Sequence, residues 1–153
     1  MNKDKFIIKT GNEGLSFDLY PELQEEVILD ALIREYVRYS LPIEVLELLI
    51  ESWNSRFWVT KGYDGATLIK NKKHPAIGNF FHDYMWRCGM GGIQSDIIYK
   101  RLLVMTGYSK RTASIRYNLI RIGWLLIFKR KHIMNNNIKR HSLAMIRLYK
   151  RIA

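Results

Sequence analysis

Four residues in the middle of the chain carry side chains suited to acid–base or metal chemistry. They are Asp64, in the run Asp64-Gly65-Ala66-Thr67, His82 and Asp83, in His82-Asp83-Tyr84-Met85-Trp86, and Asp96, which follows Ser95. A histidine beside carboxylates can bind a divalent metal, or a carboxylate can orient the imidazole as a general base. The same residues also have structural uses. Asp64 sits in a turn, where Asp bonds its own backbone, and Asp96 sits near a helix start, where the dipole favours an anion. His82 and Asp83 can anchor the Asp64 turn through buried hydrogen bonds. The structural network is the leading reading. The catalytic alternative keeps Asp64, His82, Asp83 and Asp96 as candidates, and the metal alternative keeps His82, Asp64 and Asp96. No cofactor is expected, and a divalent metal enters only with the hydrolytic alternative.

The second chemical feature is charge. The chain has 153 residues and a net charge of +11. From Glu13 to Glu51 there are ten acids and two bases, whereas from Ile97 to Ala153 there are fourteen Lys/Arg and no acid. Either the acidic helices lie against the basic ones and the field cancels, or a surplus of cations faces outward and attracts anions. Lys129, Arg130, Lys131, Lys139, Arg140, Arg147, Lys150 and Arg151 are the candidate contacts to an anionic partner. No helix-turn-helix, RNA-recognition or zinc-finger signature is apparent. A nucleic acid would then be held by its phosphates, without base specificity. A membrane surface and an acidic protein are the competing partners, the latter including the acidic face of a second copy.

Other chemistries find little support. There is no P-loop, dinucleotide fingerprint, GxSxG elbow or HExxH. A single cysteine, Cys88, excludes an internal disulfide framework and fits a small buried residue better than a nucleophile. Trp53, Trp58, Trp86 and Trp124 read as core or interface anchors. The N-terminus lacks an apolar signal-peptide core, and the stretch from Leu119 to Phe128 is about half as long as a membrane span.

The elements that must position these residues are mostly helical. Residues 6–9 and 15–19 flank a Gly-Asn-Glu-Gly run and predict a hairpin, and 56–60 predict a short strand. Pro21 and Pro42 each predict a helix start. A helical stripe runs from Ala76 to Cys88 and stops at Gly89, Gly91 and Gly92. Ser95 is expected to cap a helix to about Met105, and Ser109 another to about Phe128, the latter apolar enough to be the central core element. A last amphipathic helix carries the stripe Ile138, Ser142, Met145, Tyr149 and Ile152. The expected fold is mainly α (α+β): a compact bundle of about six helices with a small β-hairpin or strand element near the N-terminal half. It forms a single domain, 1–153, with a basic helical extension over 129–153.

The stretch from about Arg56 to Trp124 resembles a small domain family of unknown function found in phage and prophage genomes. That family has an Asp-Gly-Ala-Ser-like turn, a His-Asp-aromatic helix and a following Asp, matched here by Asp64-Gly65-Ala66-Thr67, His82-Asp83-Tyr84 and Asp96. Leu68-Ile69-Lys70 stands where the family usually has a proline, and Gly62-Tyr63 lies directly against Asp64. The resemblance implies a phage setting, and the expected function is that of a phage-encoded, non-enzymatic accessory or structural protein associated with the virion. Its basic C-terminal third would dock on an acidic protein or nucleic acid. Expected partners are other phage proteins, non-specific nucleic acid or further copies joined through acidic and basic faces. The expected location is the host cytoplasm during infection, and the virion, without secretion. The alternatives are a small, metal-dependent hydrolase built on the Asp/His cluster, and a phage factor binding a host protein or small anionic ligand.

Overall fold

Two prolines mark where the chain enters its first helices. Pro21 begins α1 (Pro21–Arg38), and Pro42 is the N-cap of α2 (Ile43–Asn54). Proline suits both positions, because its fixed φ fits a helix start and its missing N–H lies where no intrahelical partner exists. The computed structural model describes residues 21–55, 76–123 and 142–153. These include four further helices, α3 (Ala76–Arg87), α4 (Ile93–Met105), α5 (Lys110–Gly123) and α6 (Leu143–Ile152). Among the described residues the chain is mainly helical, with six helices and no strand. The expected hairpin over 6–9 and 15–19 and the expected strand over 56–60 lie outside those residues.

Three of the helices end in the same way. The N–H groups of Ser40 and Leu41 return to the carbonyls of Val37 and Tyr36, closing α1 at 3.1 Å in both bonds. Gly89 and Met90 do the same for Trp86 and Met85 at the end of α3, and Gly107 and Tyr108 for Val104 and Leu103 at the end of α4. Each pair satisfies carbonyls that the last turn would otherwise leave bare. The first residue of each pair has a positive φ, 47° at Ser40, 75° at Gly89 and 102° at Gly107. The reversal after α4 therefore needs a residue without a Cβ at position 107.

The main core lies between α1, α2, α3, α4 and α6. Leu32, Val45, Leu48, Phe80, Phe81, Met85, Leu102 and Leu148 are all fully buried. A smaller cluster of Tyr99, Leu103, Tyr108 and Ala113 joins α4 to α5, with Val104 and Ile120 packed against it. Phe81, Met85 and Leu102 are therefore buried and Ile120 partly buried, and Trp124 lies outside the described residues.

Helix α5, expected to reach about Phe128 as the central core element, is described as far as Gly123, and that part buries little apolar surface. Ala113 and Arg116 are its buried residues, while Ile115, Leu119 and Ile122 keep 51%, 48% and 51% of their surface exposed. The reason is angular. Those three residues lie on the side of the helix away from Ala113, and apolar content alone does not say which side faces in.

Residues 143–152, part of the stretch expected as a basic extension, form α6, which packs on α2. Ala144, Met145 and Leu148 are buried. The Ser142 hydroxyl accepts the Met145 N–H at 2.9 Å, which caps the helix, and donates to Glu51 Oε2 at 2.7 Å. Tyr84 Oη donates to the other oxygen of Glu51 at 2.6 Å. One carboxylate thus fastens α2 to both α3 and α6. Leu148→Ala should lower stability by about 2–4 kcal/mol, since it removes a fully buried side chain from this junction. Urea unfolding followed by circular dichroism checks this, and an unchanged midpoint would show that α6 is undocked in solution.

Candidate functional site

The first turn of α4 places Asp96. The helix starts at Ile93, two residues before the expected cap, with Gly92 at the N-cap. Ser95 works from inside the turn, where its hydroxyl accepts the Gly92 N–H at 2.9 Å and donates to the Gly92 carbonyl at 2.8 Å. A hydroxyl can do both, so a serine in the third helical position can close the helix start. The Asp96 side chain, one residue on, is completely buried.

Three donors from two other helices converge on that carboxylate. His82 and Trp86 are four residues apart on α3 and so share a face. His82 Nε2 lies 2.8 Å from Asp96 Oδ1, and Trp86 Nε1 donates to the same oxygen at 3.2 Å. Arg121 Nη1, from α5, donates to Oδ2 at 2.7 Å. The His82 and Arg121 side chains remain 12% and 21% exposed, so the cluster reaches the surface only at its rim. The His82 ring leans on Trp86 and Tyr99, with centroids 6.0 and 5.2 Å apart. The Trp86 indole lies so close over Gly91 that a Cβ there would overlap it.

Electrostatics follow from this packing. Burial alone would raise the Asp96 pKa, but hydrogen bonds from His82, Arg121 and Trp86 and the histidine's charge outweigh it, and the carboxyl lies below its ordinary range. The ionised carboxylate can only accept, so His82 carries its hydrogen on Nε2. Burial pushes the neighbouring Tyr99 phenol up to about 12, against the opposing pull of the Arg116 guanidinium. Asp83 contributes to the same rise, so its charge is felt at Tyr99.

The arrangement ties three helices together. Both Asp96 oxygens are occupied, and a guanidinium sits where a metal ion would approach Oδ2. Among the described residues, no three His, Cys, Asp or Glu side chains converge to hold a metal, and no hydroxyl or thiol is hydrogen-bonded to His82. The structure brings His82 and Asp96 together. Asp64 lies outside the described residues, so its proposed place in the network is not seen.

Two partners of the cluster, Trp86 and Arg121, are absent from the sequence-based candidates. A signal for Arg121 does exist. It interrupts an apolar stretch, and Asp96 is the last acid in the chain, so an inward base beyond it must pair with an acid earlier in the sequence.

The basic candidates divide. Lys129, Arg130, Lys131, Lys139 and Arg140 lie outside the described residues, as do the side chains of Glu22, Glu25 and Glu26. Arg147 forms an exposed ion pair with Glu47 of α2 at 3.4 Å, while Lys150 and Arg151 are exposed on α6. No helix among the described residues is long and apolar enough to cross a membrane. No protein-family model matches the chain, and comparisons with curated proteins and with solved structures find no match.

Asp96→Asn keeps the size of the side chain but puts an NH2 where a donor already points and leaves Arg121 without its anion. The expected loss is about 2–4 kcal/mol, read as a fall in melting temperature of roughly 10 °C. A variant melting like the parent would show that the cluster does not hold the helices together. The lowered pKa also sets a pH dependence. Unfolded Asp96 takes up a proton near pH 4, whereas the folded network resists it. Its contribution is therefore complete above about pH 4 and is lost as pH falls through the folded-state value. The stability gap between parent and Asp96→Asn should narrow on acidification, checked by urea midpoints at about pH 7, 5 and 3.

Proposed function

We propose that this chain is a non-enzymatic accessory protein that docks through its basic C-terminal third on an anionic macromolecule. The phage setting, and an association with the virion, rest on the motif resemblance of residues 56–124. The docking reading rests on where the described cations stand. Arg101, Lys110, Arg111, Lys150 and Arg151 are exposed, in a segment without a single acid. The only acids available to neutralise them lie earlier in the chain, and one of those, Asp96, is already committed inside. Exposed like charges without local counter-charges raise the potential of a surface and draw polyanions to it. The same commitment of Asp96 favours the non-enzymatic reading over the hydrolytic one.

The test is a titration of the full chain with random-sequence duplex DNA and with polyglutamate, at several salt concentrations from about 50 to about 200 mM. Binding to at least one polymer should weaken steeply as salt rises, because each neutralised charge releases counterions. Lys150→Gln combined with Arg151→Gln should weaken it further, with circular dichroism confirming that the variant is folded. Absence of binding to both polymers at the lowest salt would sink the docking proposal.

A further inference from the structure

Helices α2 and α6 lie side by side and run antiparallel. Ser142, at the start of α6, bonds Glu51, and Arg147, further along α6, pairs with Glu47, one turn back on α2. Together they form a layer whose inner side packs on α3 and α4, with Leu48, Leu49, Met145 and Leu148 buried there. The outer side is apolar as well. Ile43 and Ile50 of α2 and Leu143 of α6 are more than half exposed, and Ile146 is exposed beside Leu143. Seven residues make about two turns, so Ile43 and Ile50 stand in one line with Glu47 between them. Ile50 is level with Leu143, because the neighbouring Glu51 meets Ser142.

Charge divides the layer lengthwise. Helix α2 carries Glu44, Glu47 and Glu51 and no base, whereas α6 carries Arg147, Lys150 and Arg151 and no acid. An acidic and a basic helix side by side make a face complementary to itself. A second copy, turned by half a revolution about an axis parallel to the helices, sets its α2 on α6 and its α6 on α2. All neighbouring helices then run antiparallel, as in an up-and-down four-helix bundle. The Glu47–Arg147 pair, 3.4 Å apart and open to solvent, lies between the two helices. Two such pairs meet across the axis as four charges of alternating sign. Ile50 of each copy falls on Leu143 and Ile146 of the other. A two-fold that set α2 on α2 would instead oppose like charges.

We propose that the outer face of the α2–α6 layer is a dimer interface, occupied by a second copy of this chain. A contact of this kind is isologous and closes at two copies. The aliphatic side chains supply its dry centre and the opposed charges its register. Helices of 12 and 10 residues make a small face, so the dimer forms reversibly. A polyanion would be drawn to α6 but repelled by the acids of α2, and four aliphatic groups offer it nothing. The inference is independent of the docking proposal, whose cations on α4 and α5, Arg101, Lys110 and Arg111, lie outside this layer.

The experiment is sedimentation equilibrium of the full chain, freed of nucleic acid, from about 1 μM to about 1 mM, the range of weak association. Monomer should convert to dimer, with no larger species. Leu143→Asp should raise the dissociation constant roughly tenfold or more, since the two-fold places the new charge in the interface twice. An acid in the first turn of α6 suits the helix dipole, so the dilute variant should melt no lower than the parent. Glu47→Arg and Arg147→Glu should each associate less than the parent, and an equimolar mixture of the two should recover the dimer. Loss of a pair within one chain cannot produce that recovery. A chain that stays monomeric throughout overturns the proposal, as does a dimer that Leu143→Asp leaves intact or a mixture that does not recover. Growth beyond the dimer would show a head-to-tail contact and overturn the two-fold arrangement. Polymer binding is not read in this experiment, so the dimer and the docking proposal can each fail while the other stands.

Discussion

A buried carboxylate sets the constraint on which the middle of this fold depends. Asp96 has no contact with solvent, and an ionised group there is tolerable only if hydrogen bonds replace its hydration. The replacement comes from His82 and Trp86 on α3 and Arg121 on α5. None of the three helices can then shift far without leaving charge uncompensated in the interior. The mutual orientation of α3, α4 and α5 is thus fixed at one atom group, whereas apolar packing alone would tolerate small rotations.

Glu51 repeats the device at the other end of the bundle, more mildly because it is only partly buried. It accepts from Tyr84 on α3 and Ser142 at the start of α6. Helix α3 is common to both fastenings, with His82 and Trp86 turned to Asp96, and Tyr84 turned to Glu51. A helix with two polar contacts on different sides and Phe80, Phe81 and Met85 between them cannot rotate to satisfy one partner without losing the other. The basic third of the chain contains no acid, so α5 and α6 each join the bundle through an acid supplied by an earlier helix.

How much of this was legible in the sequence depends on how local each signal was. Helix starts at Pro21 and Pro42, the α3 stop at Gly89 and the cap at Ser109 are set by a few neighbouring residues, and the structure places them there, whereas Ser142, expected within the last helix, is its N-cap. Ser95 was legible as a residue of the helix start but not as one acting from inside the first turn, because the serine side chain satisfies either geometry. His82 and Asp96 could be recognised as partners by type. Arg121 carried only the signal of a base within an apolar stretch, and Trp86 carried none, since a tryptophan in a helical stripe reads first as an apolar residue. The facing of α5 is a related case. Its apolar residues fill more than one side, and only contact with α4 decides that the seam runs along Ala113 and Ile120. The duties of the basic residues were likewise hidden, because fourteen cations look alike until some are seen turned inward.

That division of labour connects the buried cluster to the outer face of α5. Successive residues turn by about 100° around a helix axis, so Arg116 and Arg121 stand to either side of the seam formed by Ala113 and Ile120. One is held against the Tyr108 ring and the other by Asp96, so the two resist rotation of α5 in opposite senses. Arg111, Ile115, Asn118 and Ile122 lie on the opposite side of the helix and are presented at whatever angle those inward contacts dictate. The Asp/His cluster thereby holds α5 in register on α3 and α4, and the Tyr108 contact fixes its other flank.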